Sequence, residues 1–285
     1  RIGQPIPEVF GRHVIYPDFA AMPYTEYAGN EQYLYQLLVI GRGHYDVEQI
    51  RIEDTLIDSF DEVETEIVAP GGSVTLFPAR VITAIEVSGQ DMDYNVAVGP
   101  FAANPAGTTA NRLGFDIVLS RGLYYANDSG GLDNRTITFR LEYQQIDDDG
   151  VAIGSWIVAQ NVTITASTTT PIRRSYRYTV TAARYQCRVT RTSTKDASTR
   201  VGNDIAWGGL RAYIPGAQTY GDVTLLAMRV RATDNISAQA SRKVNCIVTR
   251  KLPFWMGEEG QWSENLAPNA AFFNYSGSLP TGWAS

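Results

Sequence analysis

Residues 135–166 read RTITFRLEYQQIDDDGVAIGSWIVAQNVTITA. Ile137, Phe139, Leu141 and Tyr143 recur at every second position, with Thr138, Arg140 and Glu142 between them. Successive side chains of an extended chain leave on opposite faces, so this alternation predicts a strand with one face buried. Trp156, Val158, Val162 and Ile164 repeat the pattern further on. Between the two runs lies IDDDGVAIG, whose Asp149-Gly150 suits the left-handed backbone of a tight turn. The stretch predicts an antiparallel hairpin.

The same period of two governs the rest of the chain. It appears at Glu62–Val68, Val81–Val87, Phe115–Leu119, Arg177–Thr190, Ile205–Ile214, Val223–Ala232 and Lys243–Thr249, with Gly, Pro, Ser, Thr and Asn clustered between the runs. Many short strands at this spacing predict an all-β protein of sandwich or barrel type. Composition shifts at GPFAANPAGTT (99–109) and again at IPGAQTY (214–220). The span between these breaks has the size of one immunoglobulin/fibronectin-like β-sandwich. We read residues 99–216 as such an insertion, 1–98 and 217–262 as two parts of one interrupted β domain, and 263–285 as the start of a further segment.

With 285 residues the chain can bury a sizeable core in one large unit or two ordinary ones. It opens on Arg1 and stops at Ser285 and is read as a piece of a longer protein. A net charge of −6 with no long block of like charge speaks against specific nucleic-acid binding. The longest apolar stretches, such as Tyr33–Ile40, fall far short of the ~20 residues that span a bilayer. No membrane-spanning segment is expected. Cys187 and Cys246 sit in strand-like runs and read as free buried thiols, since a domain this size needs no disulfide staple.

Each reactive-looking motif has a plainer reading. NDSGG at Asn127–Gly131 is similar to a serine-protease nucleophile motif, but the chain has only His13 and His44, neither in a protease-like setting, and Asp, Ser and Gly are ordinary loop residues. Three adjacent carboxylates in Asp147–Gly150 cannot converge on one calcium ion as alternating ligands do, so the hairpin turn is preferred. Arg173, Arg174, Arg177, Arg184, Arg188, Arg191, Lys195 and Arg200, interleaved with Tyr176, Tyr178 and Tyr185, could track single-stranded nucleic acid. In a chain of negative charge they read better as a solvated face or a contact with an acidic neighbouring subunit. Glu62, Glu64 and Glu66 alternate as a solvated face would, and Gly3, Gly11, Gly41 and Gly43 fit no phosphate loop. No catalytic, cofactor or metal residue is assigned; Gly41, Gly43, Asp46 and Glu48 are read as structural turn positions.

The order of segments carries a resemblance. GQPIPEVFGRHVI (3–15) followed by YLYQLLVIGRGHYDVEQIRIEDTLI (33–57) resembles the hub proteins at the tip of non-contractile phage tails, the host-specificity or tip attachment protein J family of lambda-like phages. Gly41-Arg42-Gly43 stands for that family's glycine turn, Asp46 to Glu48 for its acidic part and Glu53 to Ile57 for the strand end, with Leu56 in place of the usual proline. RRSYRYTVTAARYQCRVTRTSTKD, DIAWGGLRAYI and the run from Tyr220 to Trp255 resemble its later segments in the same order.

The resemblance implies a virion structural protein of a phage or prophage tail tip. It implies a homotrimeric hub around the tail channel, assembled in the bacterial host cytoplasm, that supports host attachment and genome ejection. Other tail-tip proteins would be its partners, and a host receptor would be met by parts not present in this chain. No cofactor and no enzymatic activity are expected. Two alternatives stay open: a secreted or surface β-sandwich module recognising glycans or proteins, and a tail-associated hydrolase with two converging carboxylates.

Overall fold

The structure, a computed structural model, describes residues 5–77, 80–216, 219–236, 243–255 and 262–266. Its first strands are β1 (Arg12–Ile15), β2 (Asp18–Phe19), β3 (Tyr24–Ala28), β4 (Glu31–Arg42), β5 (Tyr45–Ile52), β6 (Thr55–Leu56) and β7 (Val63–Val68). The middle of the chain forms β8 (Arg80–Thr83), β9 (Gln90–Asp91), β10 (Ala97–Ala102), β11 (Ala110–Leu119), β12 (Tyr124–Ala126), β13 (Leu132–Asp133), β14 (Arg135–Ile146), β15 (Ala152–Ala166), β16 (Ile172–Arg191), β17 (Val201–Gly202) and β18 (Ala206–Ile214). β19 (Val223–Arg231), β20 (Val244–Arg250), β21 (Leu252–Trp255) and β22 (Trp262–Leu266) follow. The protein is all-β, as its periodicity predicts.

Strands from the two ends of the chain pair with each other. β4 and β7 flank β19 in one sheet, and β1 and β5 flank β20 in another. Leu34, Leu38 and Ile40 of β4 and Leu226, Met228 and Val230 of β19 face Ile50 and Ile52 of β5 and Val244, Cys246 and Val248 of β20 across a shared core. The opposite face of β4 and β19 is buried too. Leu37, Val39, Leu225 and Ala227 pack with Tyr24, Phe77, Val81 and Tyr213. Burial on both faces explains why LLVI (37–40) reads as a continuous apolar run while most other strands alternate.

Residues 80–214 build the inserted sandwich. β16 is long enough to serve both of its sheets: Ile172–Ala183 pair with β11 and Arg184–Arg191 with β14. Phe115, Ile117, Phe139, Leu141, Cys187, Val189, Trp207 and Leu210 fill the space between them. Phe115 stacks on Trp207 with ring centroids 5.9 Å apart. The sequence reading opens the insertion at 99, yet β8 and β9 already pair with β18, and β10 runs through the Gly99-Pro100 break as a strand against β16. The second break at 217–218 and all of 267–285 lie outside the described residues.

The predicted hairpin forms β14 and β15. The Asp147 carboxylate accepts from the N–H groups of Asp149 at 3.0 Å and Val151 at 2.7 Å, and Gly150 takes a φ of 84°. The expected common inward side for Trp156, Val158, Val162 and Ile164 does not hold throughout. Register slips at Leu141/Glu142 turn Val158 outward to 45 % exposure, while Val162 stays buried.

Candidate functional site

The most concentrated chemistry among the described residues lies where β3 meets the outer face of the inserted sandwich. Alternation sends Leu113, Phe115 and Ile117 of β11 into the core and leaves Asp116 pointing out; likewise Leu210 and Ala212 of β18 point in, and Arg211 and Tyr213 point out. Gly114 stands opposite Arg211 and Gly209 opposite Asp116. A Cβ on Gly209 would lie 3.0 Å from the Asp116 carboxylate, so the glycines make room for the pair.

β3 closes over these groups. Arg211 is 3 % exposed and Asp116 6 %, and they form a two-pronged ion pair whose Nη2–Oδ1 arm measures 2.6 Å. Arg211 Nη1 also donates to the Thr25 carbonyl at 2.6 Å. The Ser175 hydroxyl donates to Asp116 and accepts from the Tyr27 N–H at 2.8 Å. Glu26, 4 % exposed, accepts from the Tyr213 hydroxyl and lies 3.6 Å from Arg177 Nη1. Arg173 N–H donates to the Asn30 side chain at 2.7 Å, extending the seam beyond β3. Two guanidinium groups thus meet two carboxylates; Arg211, Asp116 and Glu26 are buried, while Arg177 reaches solvent with its side chain 45 % exposed.

Burial pushes the Glu26 carboxyl above its ordinary value, and Arg211 and Arg177 offset only part of that. Desolvation also works against the Arg211 charge, but Asp116, by charge and hydrogen bonding, and then Glu26 outweigh it and hold the guanidinium above its ordinary value. Breaking such a pair leaves an uncompensated buried charge, so parting β3 from the inserted sheet is costly. Both carboxylates are engaged by arginine or tyrosine donors, an arrangement suited to holding two bodies together.

The residues singled out from sequence are dispersed. Asn127 organises the turn between β12 and β13: its Oδ1 accepts from Ser129 N–H, Ser129 Oγ and Gly131 N–H at 3.2, 3.1 and 2.8 Å. His13 lies on β1 and contacts the Phe10 carbonyl at 2.8 Å. Gly43 turns the chain between β4 and β5 with a φ of 81°, and Gly41 faces Pro7 and the Tyr45 ring. Asp46 and Glu48 are not turn residues. They lie in β5 opposite Thr249 and Ile247 and pair with Lys251 at 2.5 Å and Arg12 at 3.1 Å.

The basic run along β16 is not one solvated face either. Arg184 caps the carbonyls of Asn104, Asp147 and Asp148; Arg188 grips Glu142; Arg191, fully buried, donates to the carbonyls of Ser193, Thr194 and Asn203. Glu66 caps Thr75 and Leu76, Glu64 pairs with Arg229 and Glu62 bonds Thr233. Both cysteines are free and buried, and burial raises both thiols, Cys246 to about 12. No group of three or more His, Cys, Asp or Glu among the described residues could hold a metal ion, and no helix among them is long and apolar enough to cross a membrane. Glu26, Asp116, Ser175, Arg211 and Tyr213 escaped the sequence reading. The available signal was a lone charge inside an apolar strand, as in RLGFDIVL and GGLRAYI.

The architecture defines a non-local β-sandwich carrying a fibronectin-type insertion bolted to its host by a buried ionic seam. Residues 87–216 match the family model of the tip attachment protein J FNIII-A domain. This match supports the phage tail tip attachment protein J family, which the order of the motifs also resembles. That family supports a structural role at the phage tail tip, a place in the virion tail and other tail proteins as neighbours. No curated protein matches the chain. Among solved structures, a chain of the T13 infectious bursal disease virus particle is 14 % identical over 75 % of this chain and 47 % of its own, with a TM-score of 0.29. A chain of the same virus, Gx strain, is 12 % identical over 86 % and 59 %, again at 0.29. This chain spans about half the length of those two, and at such TM-scores the likeness carries no argument.

Proposed function

We propose that this chain belongs to a trimeric hub around the phage tail channel that supports host attachment and genome ejection, and that its role is structural, without catalysis. The observation that carries the reading is the FNIII-A match over residues 87–216. In this reading residues 12–68 and 223–250 form the ring-building unit and the inserted sandwich projects from it. Two features support it. The ionic seam makes parting the insertion from its host costly, as a projection under load needs. Phe10, Val14 and Tyr16, on and beside edge strand β1, are 56, 55 and 66 % exposed, offering apolar anchors for a neighbouring copy. The host receptor is met through other parts of the full-length protein.

Light scattering on this chain, alone and within the full-length protein over a wide concentration range, tests the proposal. A trimer in the full-length protein, lost on replacing Phe10 and Val14 by Asp, is the expected result. A strict monomer in both forms overturns it.

A further inference from the structure

The unit built from both ends of the chain has two unlike sides. One of its sheets runs β1-β20-β5-β6 and the other β2-β4-β19-β7, with β3 also on β4. Two residues join β1 to β2, and β6 leads into β7 through the short helical turn Ile57–Ser59. β1, β2 and β3 therefore border one side of this unit, and β6 and β7 border the opposite side.

The first side carries a groove of about 810 Å³ between the β2–β3 connection and β8. Its lining is mostly apolar and includes Met22, Pro23, Tyr24, Val81 and Ile85, with Met22 65 % and Ile85 88 % exposed. Arg80 is the single charged residue in that lining. Contiguous exposed apolar surface of this kind marks an interaction site.

The second side has the converse make-up. Leu56 and Ile67 are 43 and 48 % exposed, and exposed Glu53, Asp54, Asp58 and Asp61 flank Leu56 along the chain. Among the described residues no ion pair joins these four carboxylates to a cation, or Arg80 to a carboxylate. An apolar groove with one unanswered guanidinium thus lies on one side, and an exposed leucine among unanswered carboxylates on the other. A ring of identical copies needs such a pair of unlike patches, because a heterologous contact joins one face of each copy to a different face of the next. Pairing the Leu56 turn with itself would instead set carboxylates against carboxylates.

We infer that the groove between the β2–β3 connection and β8 receives the Leu56 turn of a second copy of this chain, with Arg80 set against the carboxylates of Asp54 and Asp58. This contact presupposes the trimeric hub proposed above, to which it supplies the two joining surfaces, and it puts Phe10, Val14 and Tyr16 on the receiving side.

Charge exchange in the full-length protein, read by light scattering, tests the contact. Arg80→Asp, and separately Asp54→Arg with Asp58→Arg, should each weaken trimer formation about tenfold or more by setting like charges together. All three changes in one chain should restore the trimer. The three positions are exposed, so the far-ultraviolet circular dichroism of every variant stays that of the parent. A parent trimer that both one-sided variants leave intact overturns this contact while the hub reading stands. A loss that the combined variant does not restore overturns the pairing of Arg80 with these carboxylates, again without touching the hub reading. A full-length protein that stays monomeric overturns the hub reading and this contact with it.

Discussion

Glu26 is the residue at which burial and charge oppose each other most directly. Its folded carboxyl titrates above its ordinary value of 4.5 because desolvation exceeds the help of Arg211 and Arg177. The folded state therefore holds this proton more tightly than the unfolded state. The stability it contributes is full below 4.5 and is lost as pH rises through the raised folded value. Glu26→Gln removes that titration while keeping an acceptor for the Tyr213 hydroxyl. We expect urea unfolding across pH 4 to 8 to show the parent losing stability relative to E26Q as pH rises. A difference that is flat, or that grows in favour of the parent, contradicts the assignment.

At the scale of elements, the turn after β11 shows how a glycine can be required by its neighbours. Gly122 has a φ of 75°, and a Cβ there would stand 2.1 Å from the Thr168 carbonyl, which already accepts from the Leu123 N–H at 2.8 Å. That contact tethers the β15–β16 connection to the β11–β12 turn. Gly122→Ala should cost about 2–5 kcal/mol, combining left-handed strain with a backbone collision. Gly130, with a φ of 81° and open space around it, bears only the strain, so Gly130→Ala should cost about 1 kcal/mol. Denaturant midpoints of the two variants check the ranking, and equal losses would count against the collision.

For the whole molecule, the seam decides whether the two sandwiches behave as one body. Tyr24, Phe77 and Val81 pack with Tyr213, which lies on β18 with Arg211, so joint and core share a strand. Calorimetry of the parent chain should show one cooperative transition. Arg211→Met leaves Asp116 buried without its partner, costs about 3–5 kcal/mol and should split that transition in two. Two transitions in the parent, or one unchanged transition in the variant, would show that the seam does not couple them.

Most strand positions and the β14–β15 turn were legible in the sequence because period two and Asp-Gly chemistry are local properties of the chain, although the run Val81–Val87 is a strand only as far as Thr83. Glycine at 43 was legible for the same reason. The acidic pair Asp46 and Glu48 was misplaced into the turn because their strand partners, Thr249 and Ile247, lie about two hundred residues away. The same distance hid the site: Glu26 meets Tyr213, and Asp116 meets Arg211, only once two sheets face each other across β3. Pattern tells which side of a strand is apolar. Which outward charges become buried depends on what packs over that side, and only the tertiary structure decides it.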